Sequence, residues 1–291
     1  MKTHIAIVSK AALSLLAGSC LLVGTPAHAQ TLLINESFNK PAMPSDWTTP
    51  NPNWWAVDVA TYQGQNHLRF ARPAGSTVAD HVAYYKGKGI DNSLTDSKLA
   101  NFEASVVINT GNVVERGASS VAGGMIIKAN SLTSYGVAAG SYFIAFSPAA
   151  LSGSTTWAPG LGIWSNLPDD PAGVRANYVR TNQALAFDSF STFTDDMDVL
   201  LKVISNGSML SASLWTLDEN GLGKDEIASV SIDNAATDPG YIGLRGAFSN
   251  TGVNLYFRDL QVTAIPEPSA ALLLPLSAIM GLALKWRPRN R

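Results

Sequence analysis

The tightest constraint on this chain is a hairpin signature late in its sequence. Asp198–Ser205 and Ser208–Leu217 are apolar or alternating runs flanking Asn206-Gly207. That pair suits a type I′ turn, which needs φ > 0 at both central residues. Asn220-Gly221 marks a second turn before Glu226–Ile232, and the runs Tyr241–Phe248 and Val253–Thr263 follow. In the last run Val253, Leu255 and Phe257 share one face, but the apolar phase then moves to Leu260 and Val262. The slip predicts a β-bulge near Arg258-Asp259.

The same grammar runs upstream. Candidate strands are Leu32–Phe38, Trp54–Ala60, His67–Ala71, His81–Lys86, Asn101–Asn109, Ala122–Ala129, Tyr142–Ser147 and Leu161–Ser165, separated by Gly, Asn, Asp, Pro and Ser. No sustained i, i+3, i+4, i+7 apolar stripe interrupts them. The expectation is an all-β, antiparallel two-sheet sandwich of at least twelve strands, forming one domain over residues 30–264 without a linker or internal repeat.

The two ends are of another kind. Lys2 and Lys10 precede an apolar run, Ala11 to Gly24, and Ala27-His28-Ala29 offers a small-x-small cleavage pattern. This is the arrangement of a signal peptide over residues 1–29, cleaved after Ala29. A buried core helix is the bland alternative, disfavoured by the missing caps and polar face. Lipid attachment at Cys20 is opposed by the apolar residues that continue past it. At the other end, Ile265-Pro266-Glu267-Pro268-Ser269 leads into Ala270 to Leu284, then a basic end with Lys285, Arg287, Arg289 and Arg291. This 15-residue stretch would span roughly 22 Å as a helix, short of the ~30 Å hydrocarbon core. Pro275 weakens that helix further. The basic cluster would stay cytoplasmic, leaving the domain outside.

The order Pro-Glu-Pro, apolar helix, basic end over residues 265–291 resembles the PEP-CTERM sorting signal of exopolysaccharide-producing Gram-negative bacteria. The resemblance implies recognition at Pro266, Glu267 and Pro268 by an exosortase-type membrane protease. It also implies transient anchoring in the inner membrane and release to the cell surface or extracellular matrix. A permanent C-terminal anchor is the alternative.

Composition narrows the function. Apolar residues make up 46% and charged residues 14% of 291, which argues against disorder. Between the ends, 14 basic residues stand against 21 acidic ones, a formal charge of −7. An acidic domain argues against nucleic acid as a partner. The single cysteine, Cys20, lies in the signal run, so the processed chain has no thiol for a disulfide, a zinc site or a nucleophile.

The opening Asn35-Glu36-Ser37-Phe38, nearby Trp47, and closing Tyr241-Ile242-Gly243-Leu244-Arg245-Gly246 before Val253–Val262 together resemble the concanavalin A-like, laminin-G-like jelly roll. Glycosidases of that class carry a Glu-x-Asp-x-Glu strand, in which alternation aims two carboxylates into one cleft. No such string is present, and no catalytic residue is assigned. Asp195, Asp196 and Asp198 read as turn carboxylates. Their alternative is a calcium site, since Ca²⁺ takes several loop oxygens; no other cofactor is expected. His67 and His81 have no neighbouring His or Cys to complete a zinc site. Gly-x-Ser-x-Gly, Walker A and dinucleotide motifs are absent.

Tryptophan is what the domain does offer: Trp47, Trp54, Trp55, Trp157, Trp164 and Trp215. Indole faces stack on the C–H faces of sugar rings. Neighbours on a strand face opposite sides, so one of Trp54 and Trp55 looks outward; Trp157 and Trp164 lie in or next to a Pro/Gly-rich segment. These four are the candidate sugar contacts, against the bland reading that large aromatic residues pack the core. The expectation is a non-catalytic, exported protein binding extracellular polysaccharide. The alternatives are a structural surface protein without a small ligand, or a divergent polysaccharide-degrading enzyme.

Overall fold

A computed structural model describes residues 31–50, 57–72, 74, 80–112, 121–132, 141–149, 160–166, 182–189, 194–248 and 251–265. The chain divides into two units, Met1–Gln30 and Thr31–Arg291, and every described residue belongs to the second. Ala29, Pro266, Glu267, Pro268, Lys285, Arg287, Arg289 and Arg291 lie outside the described residues, as do Trp54, Trp55 and Trp157. No helix among the described residues is long and apolar enough to cross a membrane.

Fifteen strands lie among the described residues: β1 (Thr31–Glu36), β2 (Trp47–Thr48), β3 (Val57–Tyr62), β4 (Gln65–Ala71), β5 (Asp80–Tyr85), β6 (Phe102–Asn109), β7 (Val121–Ala129), β8 (Tyr142–Ala149), β9 (Gly160–Asn166), β10 (Asn182–Ser189), β11 (Asp198–Asn206), β12 (Met209–Leu217), β13 (Gly223–Ile232), β14 (Tyr241–Phe248) and β15 (Asn254–Ala264). They form two antiparallel sheets. The first runs β13-β12-β11-β6-β15-β4-β3, with β1 also beside β15; the second runs β10-β9-β8-β7-β14-β5-β2. The all-β sandwich expected from the alternating runs is therefore the fold.

Alternation explains the core. Leu201 and Val203 on β11, Leu210 and Leu214 on β12, and Leu255 and Phe257 on β15 point inward from the first sheet. Met125 and Ile127 on β7, Ile144 and Phe146 on β8, and Leu161 and Ile163 on β9 meet them from the second. Phe70 and Phe257 pack edge to face within this layer, with ring centroids 5.1 Å apart. Each such side chain, buried fully, contributes about 1.5–3 kcal/mol through lost apolar hydration.

The bulge falls where the apolar phase slips. Register on β6 shifts between Arg258 and Gln261, and Asp259 takes φ 53°. It marks a change of neighbour: Asn254–Phe257 pair with β4, whereas Leu260–Ala264 pair with β1. The extra residue lets one long strand serve two partners on the same edge.

The hairpin differs from expectation by one residue. Asn206 pairs with Met209, so Gly207 and Ser208 form the loop. Positive φ occurs at Gly207 (58°) and not at Ser208, the pattern of a type II′ turn with glycine first. Asn206 stays in the ladder, and the Gly207 N–H donates to Asn101 Oδ1 at 2.8 Å. Two strands escaped the sequence reading. β2 has two residues, and β10 (NQALAFDS) holds one short unbroken apolar run, Ala184–Phe187, with no alternation.

Candidate functional site

The two sheets present very different outer faces. On the second sheet Val82, Tyr84, Ile126, Phe143, Ala145, Trp164 and Ala247 form a separate apolar layer, all buried. Arg245 lies in it with its guanidinium 4.2 Å from the Phe143 ring centroid. Trp164 thus points away from the inter-sheet core, yet it is only 2% exposed and packs in this layer. It leaves almost no indole face for a sugar to reach. The reason is its setting, since the strands around it are apolar on both faces, as in a sheet covered on both sides.

The first sheet is apolar inward and carries most of its polar side chains outward, and its register lays the outward side chains into rows, two mainly polar and one largely apolar. Ser105 is opposite Lys202, Lys202 opposite Ser213, and Ser213 opposite Ser229. The adjacent row holds Glu103, Ile204, Ser211 and Ser231. On the other side lie Val107, Leu200, Trp215 and Glu226. The result is an open cleft of about 520 Å³ lined by Glu103, Lys202, Ile204, Ser211, Ser213, Trp215, Ser229 and Ser231. That volume falls among those of small-molecule sites, roughly 300–1,000 Å³.

Trp215 is half-buried and held in place. Its Nε1–H donates to Ser213 Oγ at 2.7 Å, and the Lys202 ammonium sits 4.9 Å from its ring centroid. Beneath it Gly223 lacks a side chain; a Cβ there would come within 3.3 Å of Trp215 Cβ and Cγ. The serines expose hydroxyls that both donate and accept. Glu103 is the one carboxylate lining the cleft among the described residues.

The same face continues toward β3 and β4. Asp198 accepts from Arg258 Nη2 and from Asn109 Nδ2, both at 2.8 Å, and Arg258 also pairs with Asp259. Burial opposes the Arg258 charge, but these two carboxylates more than offset it and raise its pKa above the ordinary value. Arg69 makes a two-bond fork to Asp58 at 2.8 and 2.6 Å. Tyr62 stacks on Tyr256 with centroids 4.0 Å apart, and His67 meets both rings edge-on. Burial lowers the His67 pKa.

The suggested calcium triad does not assemble. The Asp198 carboxylate is taken by Arg258 and Asn109, while Asp196 occupies a turn at φ 59°, just beyond Asp195. Among the described residues no group of three or more His, Cys, Asp or Glu side chains is placed to hold a metal ion. Asp218 is a turn carboxylate that accepts from the Asn220 and Leu222 N–H groups, each at 2.8 Å.

Sequence reasoning therefore passed over the cleft. Its signal was present as Ser211-x-Ser213-x-Trp215 and Ser229-x-Ser231, period-2 patterns that put each set on one face. What the sequence lacked was the pairing register that joins β6, β11, β12 and β13.

No family model matches the chain, and no curated protein matches it. Solved structures do. The exoplasmic/lumenal domain of VIP36, in its Ca²⁺- and mannose-bound form, aligns over 80% of this chain and 91% of its own, with TM-score 0.53 at 12% identity. Lectin II from Ulex europaeus aligns over 80% and 99%, with TM-score 0.50 at 12% identity. At these identities the likeness is one of architecture, and the chain has the jelly-roll sandwich fold of the lectins.

Proposed function

We propose that this chain is an exported, non-catalytic carbohydrate-binding protein of the cell surface or extracellular matrix. The observation that carries the reading is the cleft on the first sheet: a fixed indole beside four serine hydroxyls, open to solvent. Aromatic area with convergent hydroxyl groups is the chemistry a sugar ring needs, and the lectin-type fold is in keeping with it. A glycosidase needs two carboxylates flanking the bond, and the cleft is lined by Glu103 alone among the described residues. The acidic domain repels nucleic acid.

Export and sorting follow from the ends. The signal peptide directs the chain out, and an exosortase-type protease acting at Pro266-Glu267-Pro268 releases it from transient inner-membrane anchoring. Extracellular polysaccharide is then its partner, retaining it near the producing cell.

The test is a glycan-array and polysaccharide pull-down screen of the full-length chain, with and without added Ca²⁺. Retention that falls about tenfold in Trp215→Ala at unchanged melting temperature is expected, since that substitution removes aromatic contact worth about 1.4 kcal/mol. Absence of retention on every glycan, the producer's own matrix included, overturns the reading and leaves a structural surface protein.

A further inference from the structure

The cleft has a direction. Its floor is two rows that cross the strands, Ser105–Lys202–Ser213–Ser229 and Glu103–Ile204–Ser211–Ser231. Four strands at a spacing of about 4.8 Å make it ~14 Å long, longer than one sugar ring. On its β13 side it runs to the edge of that sheet, where the Ser229 N–H donates to Asp188 Oδ2 on β10 at 3.0 Å. Ser229 and Ser231 there are small and exposed, so no bulky side chain from β13 closes that end. Along one long side the half-buried Trp215 stands in the next row, fixed by Ser213, Lys202 and Gly223. A ring already fixed loses little rotamer entropy when it is covered.

Charge narrows the ligand further. Glu103 and Lys202 occupy neighbouring strands of the cleft, one of each sign, and the domain as a whole is acidic. A polyanion would meet one lysine, the Glu103 carboxylate in the cleft, the Asp188 carboxylate at its β13 end and a repulsive surrounding field.

We infer that the cleft takes an internal stretch of an extended, neutral polysaccharide, lying across the strands from β6 to β13 with one sugar ring against Trp215. The inference rests on the carbohydrate-binding reading above. It excludes recognition of a chain end, which needs a closed pocket whose polar groups surround one terminal ring. Serine hydroxyls spaced along the floor serve successive sugar units, so binding strength grows with chain length until the cleft is filled. Recognition of the polymer body also suits a protein retained in a matrix, where internal units greatly outnumber ends.

The experiment is affinity electrophoresis of the full-length chain in gels containing hydroxyethyl cellulose, xylan, dextran, laminarin, polygalacturonate or alginate. It is followed by competition with free monosaccharides and with an oligosaccharide ladder cut from whichever polymer retards the protein. Retardation by a neutral polymer is expected, with roughly tenfold tighter competition from the tetrasaccharide than from the disaccharide. Borohydride reduction of the ladder's ends should leave competition within about twofold. Trp215→Ala should weaken binding about tenfold, Trp215→Phe should recover part of it, and Ser229→Phe, which obstructs the β13 end, should weaken long ligands more than short ones. Competition by a monosaccharide as strong as by the polymer would overturn the inference. So would loss of binding on end reduction, retardation by the two acidic polymers alone, or unchanged binding in Trp215→Ala. Any of these results leaves carbohydrate binding standing, whereas absence of retardation by every polymer removes both.

Discussion

The outer faces of the two sheets are built from the same strand geometry and end in opposite environments. Along β8, Phe143, Ile144, Ala145 and Phe146 are all buried, two toward the inter-sheet core and two toward the outer apolar layer. Along β12, Leu210, Ala212 and Leu214 are buried while Ser211, Ser213 and Trp215 keep partial exposure. A strand reads as continuous apolar residues when both faces are covered and as alternating ones when water meets one face. The contrast assigns the faces different work. The outer face of the second sheet is part of the packing that holds the fold, whereas that of the first sheet is free to carry polar side chains for binding.

Matched isoleucines break or sharpen that contrast most directly. Ile126 on β7 and Ile204 on β11 both point to the outer face of their sheet, but Ile126 is 0% exposed and Ile204 only half-buried. Ile126→Ala should cost about 2–5 kcal/mol, as fully buried aliphatic truncations do. Ile204→Ala should cost less than about 1 kcal/mol, because water already reaches the side chain and no cavity is enclosed. Urea midpoints of the two variants decide it, and equal losses would erase the distinction between the faces.

A second, somewhat smaller effect separates the core from both outer faces. His81 on β5 lies on the inner side of the second sheet, 1% exposed and 6.4 Å from the Phe248 ring centroid. Burial pushes its pKa down to about 4, and the nearby Arg72 charge adds to the depression. The unfolded chain, with the histidine near its ordinary value of 6.5, therefore binds the proton more readily than the folded one. The contribution to stability is complete above pH 6.5, declines as the pH falls, and is gone by about pH 4. The loss amounts to about 3 kcal/mol at most. Burial lowers the pKa of His67 on the outer face of the first sheet as well. The effect of His81 is thus read as the difference between the wild type and His81→Gln in urea midpoints from pH 7.5 to 4.5. A pH slope that is identical in the two proteins would show that His81 accepts its proton without cost.

These contrasts also explain what the sequence made legible. Alternation on β11 and β12 was visible because polar and apolar positions differ sharply in type, and the phase slip at Arg258-Asp259 located the bulge before any coordinates. β10 was missed because Ala184–Phe187 is one short unbroken apolar run, with no alternation to mark a face. The turn slipped by one residue because Asn206-Gly207 and Gly207-Ser208 are both competent hairpin pairs, and only the ladder partner Met209 chooses between them. The cleft stayed hidden for a different reason. It joins Glu103 to Ser229 across four strands, and register over such separations depends on the whole sheet. From the sequence Trp164 is a candidate sugar contact in or next to a Pro/Gly-rich segment; it faces away from the inter-sheet core, but its surroundings on the second sheet bury it. Direction follows from period-2 geometry; exposure depends on what packs above.

The smallest effect tests whether the polar face of the first sheet is assembled for stability at all. Lys202 reaches over Trp215 at 4.9 Å, a contact that at a partly exposed site is worth about 0.5–1 kcal/mol. Its alkyl stem also covers the sheet surface, and methionine would retain most of that packing. Lys202→Met should therefore lower stability by no more than about 0.5–1 kcal/mol, measured as a shift in urea midpoint with an unchanged denaturant slope. A loss comparable to that of Ile126→Ala would make the lysine a structural support of the sheet, and the cleft would then belong with the packed face opposite. A loss near the small expected value leaves Lys202 as surface that the fold does not need, which is what a sheet reserving that part of its face for a ligand requires.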